Sequence, residues 1–213
     1  MKPTRTLLAG PVAAVIFAAT VLLLPLGIRG YNSVHQTVSE IGMVGSPMRI
    51  PFTVLVCIVA LCLLVFGLAL RSAAIDAGHS SFAGYLTICA AISAAGVGLF
   101  AFPAAPHNYF GLSELIGYQA PWVLALNWRR DPSAAGVVRA SWLLAVLVWI
   151  VIALNLSVLD RSGALWAHER PIYGLVQRSL FAVFFLWCAV IGAMLSGDRR
   201  HKTPAGNAAA QAV

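Results

Sequence analysis

Three stretches of this chain hold the side chains that could do chemistry. Residues 33–45 read S-V-H-Q-T-V-S-E-I-G-M-V-G and supply His35, Ser39 and Glu40. Residues 103–121 supply His107, Glu114 and Tyr118, and residues 166–181 supply His168, Glu169, Gln177 and Arg178. One His and one Glu in each stretch allow three kinds of chemistry. His35, His107 and His168 could give nitrogen ligands to a divalent metal such as zinc, whose open position would generate hydroxide. Without a metal, Glu114 or His35 could act as a general acid or base. With no reaction at all, the same groups could line a ligand pocket with Ser39, Glu40, Tyr118, Glu169, Gln177 and Arg178.

The elements that must position these residues are apolar runs. The chain is 60% hydrophobic and 10% charged, with mean hydropathy +0.86, far from the roughly 25% charged residues of a soluble domain. Backbone groups in lipid must be satisfied within each segment, and the continuous runs exclude a barrel's alternation. The expected fold is therefore all-α, an integral membrane bundle of six transmembrane helices at about residues 7–28, 51–70, 82–102, 111–128, 137–159 and 172–195. The fourth run is the weakest, since it contains Ser113, Glu114, Gln119 and Pro121. Pro25 should kink or end the first helix. Residues 198–213, polar and then Ala-rich, are expected to form a disordered cytoplasmic tail.

Charge gives the orientation. Lys2, Arg5, Arg71, Arg129, Arg130, Arg139, Arg199, Arg200 and Lys202 fall on the N-terminal side, and Arg29, Arg49, Arg161, Arg170 and Arg178 on the other. The bias places both termini in the cytoplasm and the three polar stretches at the outer face of the cell membrane. The net charge of +7 forms no cluster that could track phosphates, so no nucleic-acid partner is expected; membrane lipids are, and a protein partner or a second copy stays open. Cys57, Cys62, Cys89 and Cys188 all lie inside apolar runs and read as small hydrophobes. Ala90, Ala94 and Gly98 form a small-residue stripe for close helix packing.

Local pattern refines the polar stretches. Ser33 and Gln36 fit an S-x-x-Q capping box, and Val34, Val38 and Ile41 recur helically before Gly42, which predicts a short interfacial helix in the first outer loop. Glu114 shares a helical stripe with Tyr118 and Pro121. Trp166 and Tyr173 read as interfacial anchors, and Pro171 as a helix start. Arg178, two turns into the last helix, needs a partner, for which Glu114 or Glu40 is expected. His79 and His201 read as solvated.

The combination of His35, Ser39, Glu40, Ile41 and Gly42 after the first helix, Phe102 and Pro103 followed by His107, and Gly174, Leu175, Gln177 and Arg178 on the last helix resembles the bacterial membrane proteins grouped as domain of unknown function 998. The resemblance covers most of the chain. It implies a six-helix membrane protein and no established reaction. The family pattern has an Asp shortly after the Phe-Pro pair, where this chain has Ala104 and Ala105, so a role for that Asp would not carry over.

No H-E-x-x-H or G-x-S-x-G motif is present, which weakens both the metal-assisted and the nucleophilic readings. Haem is disfavoured because His35, His107 and His168 fall at helix ends. A transporter would draw on Ser93, Gly96, Tyr118, Gln119, Pro121 and Asn155, with no charge near the midplane. The reading left in front is a non-catalytic ligand-binding, scaffold or accessory role. Its alternatives are an enzyme acting on a lipid-like substrate at the outer leaflet and a small-solute transporter.

Overall fold

The computed structural model describes residues 3–201, and all regular structure among them is helical. The main helices are α1 (Ala9–Leu23), α2 (Arg49–Asp76), α3 (Phe82–Leu99), α4 (Ala105–Gly117), α5 (Ala120–Trp128), α6 (Ala135–Asn155), α7 (Ala164–Glu169) and α8 (Tyr173–His201). Pro25 acts as expected: without its N–H the first helix tightens into a 3-10 turn over Leu24–Gly27. The last helix runs to His201, into the start of the expected tail, and the rest of that tail lies outside the described residues.

Five stretches are individually long and apolar enough to cross a membrane: Ala9–Gly27, Arg49–Asp76, Phe82–Leu99, Pro132–Leu159 and Ala164–Gly197. The remaining crossing is shared by α4 and α5. The start of α4 touches the end of α3, through His107 and the carbonyls of Val97 and Phe100. At the other end of the bundle, Trp128 at the end of α5 packs on His79, in the turn before α3. The pair therefore travels the full height of the bundle, antiparallel to α3. The helix breaks between them because Pro121 has no N–H to give, and the Gln119 N–H bonds to the Ile116 carbonyl instead of continuing the α ladder. The Leu115 carbonyl this would strand accepts from the Gln119 side-chain amide, Nε2 to O 2.9 Å.

The six crossings close into a ring. Each packs on its chain neighbours, with α4 and α5 counting as one, and α8 returns to close against α1. Leu63, Phe66, Leu124, Val148, Phe184, Trp187 and Ile191 fill the interior. Lipid is as apolar as these side chains, so close approach and buried hydrogen bonds must hold the helices together. Both are present. The Ala90–Ala94–Gly98 stripe is buried, and a Cβ at Gly117 of α4 would overlap Ala90. Trp187 Nε1 donates to Ser141 Oγ at 3.0 Å, tying α8 to α6 in the buried core.

One expectation fails at the far end. His79 is not a solvated turn residue: its Nε2 lies 2.9 Å from Asp131 Oδ2 and its ring is 4.6 Å from that of Trp128. Hydrogen bonds from Ser133, and then from His79, lower the Asp131 carboxyl from 3.8 to about 2.

Candidate functional site

The first polar stretch folds as tight turns. The expected capping box is displaced by one residue: Asn32 Oδ1 accepts from the Val34 N–H at 2.9 Å, and Gln36 Oε1 accepts from the Asn32 N–H at 2.8 Å. The Asn32 side-chain carbonyl reaches the N–H two residues on, as in an Asx-turn, and so takes the capping position from Ser33. The short helix follows as a 3-10 segment, Val38–Gly42, with Val38 and Ile41 buried against Phe52 and Val56.

What pins this stretch to the bundle is Arg178. Its Nη1 donates to the carbonyls of Ser33 at 2.9 Å, Gln36 at 2.7 Å and Gly174 at 2.9 Å, and its Nη2 to Tyr31 Oη at 2.6 Å. The expected ion pair with Glu114 or Glu40 is therefore replaced by backbone carbonyls. Turns converging on the guanidinium offer it several partial negative charges, and its fork of donors can answer them together. Gly174 permits the approach, since a Cβ there would overlap the carbonyl oxygens of Gln36, Ser33 and Val34. Tyr31 in turn donates to the Thr37 carbonyl at 2.7 Å. Burial raises its phenol above the usual range, outweighing the pull of Arg178.

The second stretch meets the first through His107. Its Nδ1 lies 2.7 Å from the Phe100 carbonyl and 3.2 Å from that of Val97, and its Nε2 lies 2.8 Å from Ser39 Oγ. Two turns further along α4, Glu114 Oε2 accepts from Tyr118 Oη at 2.6 Å. From the third stretch, Gln177 Oε1 accepts the Val38 N–H at 2.7 Å, next to Ser39.

These groups border one open cavity of about 710 Å³. His35, Ser39, Glu40, His107, Glu114, Tyr118 and Gln177 line it, with Arg161, Trp166, Arg170 and Tyr173. Ser39, Val97, Glu114, Tyr118 and Phe181 also line a smaller space of about 40 Å³ reaching inward between Phe17, Phe52, Val56 and Phe184. Glu40 Oε2 is buried with no hydrogen-bond partner among the described residues.

Three expected members stand outside the cavity. Arg178 holds the wall from behind. Glu169 is buried and bound by the Ser157 hydroxyl, and His168 is exposed at the end of α7. The three-His metal set is consequently not assembled. His35 Nδ1 is taken by the Pro171 carbonyl and both His107 nitrogens are occupied, and among the described residues no three His, Cys, Asp or Glu side chains converge as ligands. The polar groups named for transport are satisfied locally: Ser93 by Ser113 at 2.7 Å, Asn155 by the Val151 and Val176 carbonyls, Gln119 by the Leu115 carbonyl of α4.

The family model described as "Protein of unknown function (DUF998)" matches residues 11–194. The chain belongs to this family. Comparison with curated proteins and with solved structures gives no match. In this DUF998 protein, sequence reasoning passed over Tyr31, Asn32 and the carbonyls of Val97 and Phe100. The Tyr-Asn pair directly before the presumed cap was a readable turn signal; a backbone carbonyl leaves no mark in sequence.

Proposed function

We propose that this multi-pass membrane protein binds a lipid-like amphiphile in the cavity between α4, α8 and the first polar stretch. One observation carries the reading: a wide cavity, largely apolar but bearing His35, Glu40, His107, Arg161 and Arg170, and a smaller apolar inner space share a wall at Ser39, Glu114 and Tyr118. An amphiphile has the matching division. Its chain enters among Phe17, Val56, Phe181 and Phe184, and its head stays with the polar lining. Arg161 and Arg170 favour acceptor oxygens on that head, and the unpartnered Glu40 Oε2 favours a hydroxyl or amine donor. The Lys/Arg bias supports placing the mouth at the outer face, where such a molecule would enter from the leaflet.

The test is lipid extraction from protein purified in mild detergent, followed by mass spectrometry, for wild type and Gly111→Trp. Gly111 lines the cavity, and a Cβ there meets nothing within 4 Å, so an indole fills the space without displacing a helix. An amphiphile retained by the wild type and lost from a folded Gly111→Trp is expected. Equal content in both, or none in the wild type, would overturn the reading.

A further inference from the structure

We infer that Ser39 and His107 form a nucleophile and general-base pair, and that the protein cleaves an ester in the amphiphile it binds. The inference rests on the binding reading above and adds chemistry to it. A carbonyl can only accept, so the neutral His107 ring carries its proton on Nδ1, held by Phe100 O at 2.7 Å and Val97 O at 3.2 Å. Nε2 then presents its lone pair to Ser39 Oγ at 2.8 Å, and the hydroxyl must donate to it. This is the arrangement that activates a serine: an oriented base at hydrogen-bond distance, its far nitrogen fixed by a third group. Here backbone carbonyls at the end of α3 take the place of a carboxylate. His107 is 4% exposed, so its orientation is set by the protein.

The placement suits an ester between a polar head and an apolar chain. Ser39 lies on the wall common to the open cavity and the apolar inner space, where the junction between head and chain would rest. Gln177 is beside it, and because the Val38 N–H occupies Oε1, the group Gln177 can offer is the Nε2 donor. That donor suits the oxyanion that develops on the ester carbonyl.

The step balances without a redox partner or metal. Ser39 Oγ bonds to the acyl carbon while its proton passes to His107 Nε2. The tetrahedral species collapses, the bond to the alcohol oxygen breaks, and Nε2 returns the proton to the departing alcohol. A water from the open cavity, deprotonated by Nε2, then attacks the acyl-serine. The bond to Oγ breaks, Ser39 recovers its proton, and a carboxylic acid leaves.

The experiment uses full-length protein in detergent, a fluorophosphonate probe and a p-nitrophenyl ester of a medium-chain acid, with bound amphiphile measured in parallel. Wild type should be labelled at Ser39, identified by peptide mass, and should release nitrophenolate. Ser39→Ala should lose both signals, and His107→Gln should slow labelling and turnover by about 10²–10⁴-fold, the usual contribution of a positioned base. Gln177→Leu should lower ester turnover more than probe attachment. Amphiphile bound by the wild type with no labelling at Ser39 would overturn the inference and leave the binding reading standing. Neither amphiphile nor labelling would overturn both. Turnover unchanged in Ser39→Ala would show that another group acts and would equally overturn it.

Discussion

Arg178 gathers four of its neighbours with one guanidinium, and no carboxylate is among them. Lysine keeps the charge but not the fork, so it cannot reach the Ser33 and Gln36 carbonyls and the Tyr31 hydroxyl together. Arg178→Lys should therefore cost on the order of 2–3 kcal/mol, the scale of one or two hydrogen bonds to a charged group, read as a lower apparent Tm in detergent. Asp131, at the opposite end, gives a pH signature. Its folded pKa of about 2 lies below the 3.8 of an unperturbed carboxyl in the unfolded chain, so its stabilisation is complete above about pH 5 and is lost as pH falls through 2. Thermal melts of wild type and Asp131→Asn should differ at pH 6 and converge as pH approaches 2. Neither partner set was legible in the sequence. Spacing showed that Arg178 needed an acceptor, and composition offered only carboxylates, because the carbonyls that answer it come from a turn whose path is a tertiary fact.

At the scale of the element, the contact between α8 and the turns of residues 32–42 depends on a position with no side chain. Gly174→Val would push away the Ser33, Val34 and Gln36 carbonyls and break the Arg178 bonds with them. The expected outcome is a protein that still inserts, loses protection of residues 31–42 against a protease added to detergent micelles, and no longer retains amphiphile. In the core, Trp187→Phe should cost about 0.6–2 kcal/mol, by leaving Ser141 without its partner in a bundle where such bonds count. Helix boundaries were largely readable, since Pro25 and Gly42 each interrupt structure where sequence placed an interruption, although the break at Pro121 falls inside a run read as continuous over 111–128. The start of the fourth crossing was a further exception: the run was placed from residue 111, whereas the helix begins at Ala105 with Pro106 in its first turn, where a missing N–H costs nothing.

For the whole molecule, the hydropathy pattern was enough to read an all-helical membrane bundle, because lipid leaves the backbone few alternatives. Ring closure was not readable, since nothing local tells α8 to pack on α1. The same holds for the site. His35, Ser39, Glu40, His107, Glu114, Tyr118 and Gln177 were singled out as polar residues at helix ends, and the ring brings all of them to one cavity. Glu169 and His168 satisfied the same sequence criteria and fall elsewhere, because α7 turns them away.

The break between α4 and α5 has a consequence for how the molecule breathes. A continuous helix opens as one cooperative unit, whereas two helices joined through a side-chain amide need not. Only His107 and Gly117 are buried along α4, while Ala120, Pro121, Leu124, Ala125 and Trp128 root α5 in the core. In deuterium exchange the amides of 108–117 should therefore take up label as a block, well before those of 123–128. That fast block carries Glu114 and begins beside His107, so the cavity wall can yield to admit a molecule while the lower half of the same crossing keeps the ring closed.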